Sequence, residues 1–179
     1  MSPDAFFQRA LAAAVRGGHI FPEYAVCEAA EESGWGDSEL AGYNNLFGQK
    51  WPEDPPAGWA YPRIRIPTWE VVNGERVRLV GPNAPYWPVF PGWTASFRER
   101  MALLRRLAGY KLEDGSPRFP GYAAAIKATT GEQFVTEVSR DWSTDPQRAA
   151  NVLAIYKSHA TFLQPLLAQV QQSHASQMA

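Results

Sequence analysis

Nine of the fifteen prolines (Pro52, Pro55, Pro56, Pro62, Pro67, Pro82, Pro85, Pro88 and Pro91) fall between residues 52 and 91. Proline lacks the backbone N–H that a helix interior needs, so this density excludes long helices there. The chain is thereby divided into helix-compatible ends and a non-helical lobe at about 51–93. Charge follows the same division. Residues 1–62 carry three basic and nine acidic side chains, residues 63–106 eight and three, and the remainder six and six. These nearly cancel, to a formal net charge of -1, which excludes the general attraction to nucleic acid of a strongly basic chain. The single Cys27 excludes an internal disulfide. His19, His159 and His174 lack the spacing and cysteine companions of a zinc site, so no metal and no cofactor is expected. No apolar run reaches the roughly 20 residues of a membrane span. The 179 residues are expected to form one domain and to act as a monomer.

Helix signals bracket the proline-rich lobe. Ser2 as N-cap, Pro3 and Asp4 in the first turn and Gly17-Gly18 as the stop predict a helix over 2–16. A second is expected from Pro22 to Gly34, and others at about 94–108, 121–128 and 131–141, the last behind a Thr130/Gln133 capping box. A long helix is expected to start at Thr144, with Gln147 completing a second box, to kink or break at Pro165 and to fray from about Gln171. Inside the lobe, TWEVV and ERVRLV flank Asn73-Gly74, a dipeptide suited to a two-residue hairpin turn. That turn sets Glu70 opposite Val77, on the face of Thr68, Val72 and Leu79, while Trp69, Arg76 and Arg78 point the other way. Glu70 is then either a charge protecting a sheet edge or a carboxylate held toward a cleft.

The second helix ends in Glu31-Glu32-Ser33-Gly34. At about 100° per residue Glu32 shares a face with Ala25, Glu28 and Ala29, and Glu31 projects away. An alanine-lined face and the neighbouring Glu28 both act to keep the Glu32 proton on, as a proton donor near neutral pH requires. The alternative is a solvated acidic helix end. Ser33 has no partner histidine, so a serine nucleophile is not expected.

The string ESGWGDSELAGYNNLFGQK (residues 32–50) closely resembles the signature of glycoside hydrolase family 73, the endo-β-N-acetylglucosaminidases of the flagellar peptidoglycan hydrolase and autolysin type. Thr68–Gly74 resembles the family's hairpin, SFRERMALL the helix after it, and Asp141-Trp142-Ser143-Thr144-Asp145-Pro146 the late motif, with Trp142 where the family usually has tyrosine. Goose-type lysozymes also place Glu-Ser at a helix end. They follow it with a Gly-Leu-Met-Gln-like string, where this chain has Asn-Leu-Phe-Gly. The resemblance implies an α+β, mainly α, lysozyme-like fold with a small β-hairpin lobe. It further implies hydrolysis of the peptidoglycan glycan strand, with Glu32 as general acid and Glu70 as second carboxylate.

Asn44, Asn45, Phe47, Trp142 and Asp145 are the candidate substrate contacts. The asparagines either hydrogen-bond an N-acetyl group or make a turn. The aromatics of the proline-rich half either stack on sugar rings or pack the core. Rival functions are an N-acetylmuramidase, an inactive glycan-binding module and a structural cap of a phage or secretion machine. The N-terminus lacks the basic start and apolar stretch of a secretory signal. The expectation is synthesis in the cytoplasm and action in the periplasm or wall after delivery, as an antibacterial type VI secretion effector or a phage endolysin. An effector would need a cognate immunity protein, plugging an acidic cleft around Glu32 with complementary charge.

Overall fold

The computed structural model describes residues 1–72 and 74–178. Asn73, expected at the first turn position of the hairpin, lies outside the described residues. Seven α-helices and four short strands are found among those described. Helix α1 (Pro3–Arg16) begins where the Ser2 hydroxyl accepts the Ala5 N–H at 3.3 Å, and it buries Phe6, Phe7, Ala10, Leu11 and Ala14 along one stripe. Helix α2 (Pro22–Ser33) ends at Gly34, whose φ of 56° lies in the left-handed region that glycine enters without strain. This helix is buried on nearly every side. Only Glu23, Glu31 and Glu32 reach the surface. A four-residue helix, α3 (Glu39–Gly42), follows behind Ser38.

Around α2 pack α1, α4 (Trp93–Ala108), α5 (Pro120–Ala125), α6 (Gly131–Trp142) and α7 (Arg148–Met178), which contribute with it to one apolar core. The approach of α6 to α2 is so close that a Cβ at Gly131 would overlap the Tyr24 ring. Thr130 caps α6 by accepting the Gln133 N–H at 3.2 Å. The Gln133 side chain reaches back to the Thr129 N–H at 3.0 Å, one residue earlier than a standard box.

Three expectations for the last helix, its start, its interruption at Pro165 and its frayed tail, are corrected. It begins at Arg148 rather than Thr144, because the shorter Asp145 carboxylate takes the Gln147 N–H at 2.9 Å and closes a turn around Pro146. It then runs unbroken through Pro165 to Met178. Pro165 and Thr161, whose carbonyl would have received the missing N–H, both lie on the exposed side, where water replaces the lost bond. Along the tail Leu166, Val170 and His174, four residues apart, face Gln8, Ala12 and Arg16 of α1 across a groove.

The proline-rich segment forms two antiparallel ribbons. Strands β2 (Thr68–Val72) and β3 (Glu75–Leu79) pair in the expected register, with Glu70 opposite Val77. Strand β1 (Arg63–Arg65) pairs with β4 (Tyr86–Pro88), setting Arg65 opposite Tyr86. The hairpin is therefore carried on a second ribbon that local turn chemistry does not announce.

Candidate active site

The site is built on the last turn of α2. Glu28 and Glu32, four residues apart, share the face turned toward α4 and α7. Glu28 is fully buried, and its Oε1 accepts from Arg100 Nη2 of α4 at 3.2 Å and Arg148 Nη2 of α7 at 2.9 Å. Arg148 spends its other two nitrogens on Glu32 Oε1, at 2.7 Å, and on the Ser139 hydroxyl of α6, at 2.8 Å. Two carboxylates and two guanidiniums thus balance in charge. The repulsion expected between Glu28 and Glu32 is offset by the arginine that bridges them. The Arg100 Cζ lies over the Trp142 ring, 3.5 Å from its centroid, and 5.1 Å from that of Phe47.

The titration of the buried groups follows from this arrangement. Burial alone would push the Glu28 carboxyl up, but Arg100 and Arg148 outweigh it and hold the group below its usual range. Arg148 is held above its ordinary value, burial being outweighed by Glu28 and Glu32. His19 accepts the Phe21 N–H at Nδ1, and burial lowers its pKa to about 4. Burial likewise pushes the Tyr122 phenol up to about 12.

Glu32 opens onto a cleft of about 400 Å³ walled by Phe47, Lys50, Trp51, Leu103, Arg106, Tyr122 and Trp142. Its side chain is 24% exposed. With Oε1 held by Arg148, Oε2 has no protein partner among the described residues. The cleft was expected to be acidic. Among the described residues its wall instead carries Lys50, from the end of the first motif, and Arg106, from the basic stretch that forms α4, against the one carboxylate. Glu70 stands on the β-lobe, outside this wall but tied to it, its carboxylate 2.6 Å from Lys50 Nζ.

Of the other sequence candidates, Phe47 and Trp142 join Glu32 at the cleft. Asn44 adopts a left-handed φ of 59° and donates to the Phe90 carbonyl at 2.9 Å. Asn45 is buried, and its amide holds both the N–H and the C=O of Gln49, which shapes the loop that delivers Phe47. Asp145 closes the turn that precedes α7, beside a separate surface depression with Ser143 and Ala149. Sequence reasoning missed Arg148, Arg100, Lys50 and Tyr122. Lys50 closes the first motif and Arg148 follows Asp145-Pro146, so adjacency to the motifs was the available signal.

A family profile described as glucosaminidase, mannosyl-glycoprotein endo-β-N-acetylglucosaminidase, matches residues 8–161. The chain belongs to this family. It is accordingly a glycoside hydrolase, and solved structures share the glucosaminidase architecture. A peptidoglycan hydrolase mutant from Sphingomonas sp. A1 is 20% identical with a TM-score of 0.64, the match covering 93% of this chain and 99% of that one. The truncated glycoside hydrolase domain of FlgJ from Salmonella typhimurium is 24% identical with a TM-score of 0.59, covering 90% and 99%. The catalytic domain of the autolysin Auto from Listeria monocytogenes is 20% identical with a TM-score of 0.61, covering 96% and 89%. Among curated proteins none matches in sequence. The fold is the mainly helical, lysozyme-like one with a small antiparallel β-lobe.

Proposed function

We propose that this glucosaminidase hydrolyses the β-1,4 bond after N-acetylglucosamine in peptidoglycan. One observation carries the reading: among the described residues Glu32 is the single carboxylate in the cleft wall, fixed at one oxygen by Arg148 and unpartnered at the other. Once Glu32 takes up a proton at Oε2, the oxygen that Arg148 leaves free, it can deliver that proton to the glycosidic oxygen as the bond breaks. Arg148 positions Glu32 by packing and by the bridge to Glu28, and it stays out of the proton's path. The positive charge that develops at the sugar carbon is met from the other lobe by Glu70, acting on water or on the sugar, or by the substrate's own N-acetyl group. Trp142 and Phe47 supply the apolar wall against which a pyranose ring packs. The fold neighbours described as a peptidoglycan hydrolase and an autolysin support the choice of polymer.

Mass spectrometry of borohydride-reduced peptidoglycan digests tests this directly. New N-acetylglucosaminitol ends are expected. Muramitol ends would make the enzyme a muramidase, and no cleavage by folded protein would leave it a glycan-binding module.

We further propose that it acts on the wall of other cells as an antibacterial protein, since that polymer lies outside the inner membrane. Expression with an added periplasmic signal is expected to be toxic and expression without it harmless; equal toxicity would overturn this. An immunity protein that plugs the cleft would have to present acidic side chains to Lys50 and Arg106.

A further inference from the structure

Lys50, Trp51 and Pro52 have two sides. One lines the cleft of Glu32, and the other lines a second cavity of about 360 Å³ whose far wall is built by β1 and β4. Its floor is fixed by the Trp51 N–H, which donates to the Tyr86 carbonyl at 2.8 Å. Arg63 and Arg65, two residues apart and so on one face of β1, both stack on Tyr86, with Cζ 4.2 and 4.3 Å from the ring centroid. Arg63 also reaches over Trp51 at 5.6 Å. Among the described residues neither guanidinium meets a carboxylate, while the Lys50 ammonium is engaged by Glu70 and exposed Glu53 is the one acidic residue in the lining. Arg65 donates to the Gly81 carbonyl at 3.4 Å, whereas Arg63, which lines the cavity, keeps its N–H fork free and, stacked on an aromatic ring, loses little side-chain freedom on binding. That arrangement suits a carboxylate.

We propose that this side bay binds a free carboxylate of the peptide carried by every second sugar of peptidoglycan, so that the enzyme prefers peptide-bearing strands to bare glycan. The inference rests on the proposed polymer. The bay and the cleft share Lys50, Trp51 and Pro52 as a common wall, which places the bay where a substituent branching from a glycan held at Glu32 could be received. Arg63 provides the charge and fork, and Tyr86 and Trp51 hold it in place.

The test compares soluble uncross-linked strands in three forms: peptide-bearing, the same with carboxylates amidated, and peptide-free after amidase treatment. For the wild type, KM is expected to rise about tenfold from the first form to the other two, with kcat little changed. Arg63→Gln should show that rise on peptide-bearing strands and add nothing on the other two, and Arg63→Lys should recover part of it. An equal loss on all three forms, or no loss on any, overturns the proposal. If folded protein cleaves none of them, the polymer reading fails by itself. The bay is then judged by titrating free tetrapeptide stem against tryptophan fluorescence: saturable binding abolished by Arg63→Gln supports it, and binding indifferent to that change overturns it.

Discussion

On the helical lobe Glu32 ends a helix buried on nearly every side, and its partner Arg148 is 3% exposed and engaged at three nitrogens. On the β-lobe Glu70 stands on a five-residue strand of a two-stranded ribbon, and its partner Lys50 is 52% exposed. The first carboxylate is held by packing and by charges that water does not screen. The second is held by one ion pair that water and salt do screen. Proton donation demands one oxygen in one place, whereas attack from the opposite face needs a group that can follow the sugar. The two lobes differ in the sense those tasks require.

Substitutions can break this contrast. Glu32→Gln is expected to leave the fold intact and to lower turnover by about 10²–10⁴-fold, the range of general-acid catalysis. Glu31→Gln is the mild control, since Glu31 is exposed and meets only Asn151. A folded Glu32→Gln enzyme with undiminished lysis would remove the proton donor from this lobe. Glu28→Gln touches no substrate, yet it should cost about 3–5 kcal/mol of stability, because it leaves two buried guanidiniums short of a counter-charge. Denaturant unfolding reads it, and a wild-type midpoint would mean that the buried charges are not what rigidifies the helical lobe.

Acid sharpens the same difference. Buried His19 is neutral in the folded state, with its pKa lowered from 6.5 to about 4, so the unfolded chain binds the extra proton. Its stability contribution is complete above pH 6.5 and declines as the pH falls toward 4, by a few kcal/mol across the window. Glu28, held low, extends the loss to still lower pH. Melting curves of His19→Asn, which keeps an acceptor for the Phe21 N–H without titrating, should be flatter over that window. An unchanged slope would acquit His19.

Effects on the β-lobe are smaller. Glu70→Gln should lower kcat about tenfold with KM little moved, as expected of a group acting chiefly in the transition state. Near-normal kcat would return Glu70 to edge protection and leave the N-acetyl group as nucleophile. Lys50→Met should cost under about 1 kcal/mol of stability, since the pair it breaks is largely solvated. A loss as large as that of Glu28→Gln would erase the contrast between the lobes.

What was legible in the sequence was local. The Ser2 cap, the Gly34 stop, the Glu70–Val77 register and the half-buried position of Glu32 beside Glu28 all follow from signals within a few residues. The β1–β4 ribbon joins segments some twenty residues apart with a whole hairpin between them, and no turn dipeptide marks it. The convergence of Arg100 and Arg148 on Glu28 spans 72 and 120 residues. Such closures are decided by the packing of four helices, and periodicity within any one helix carries no trace of them. Asn45 and Asp145 were ambiguous for another reason. A side chain that shapes a loop and one that grips a sugar are the same residue type in the same polar setting, and hydrogen-bond partners alone separate them.

The bridging arginine is also late. Glu28 and Glu32 leave the ribosome more than a hundred residues before Arg148, and until α7 docks the end of α2 carries two carboxylates with at most Arg100 to answer them. Nascent or truncated chains lacking α7 therefore have an open, self-repelling catalytic turn. Docking of α7 both closes the core and sets the proton donor, which makes hydrolytic competence a property the chain acquires only once that helix has been made.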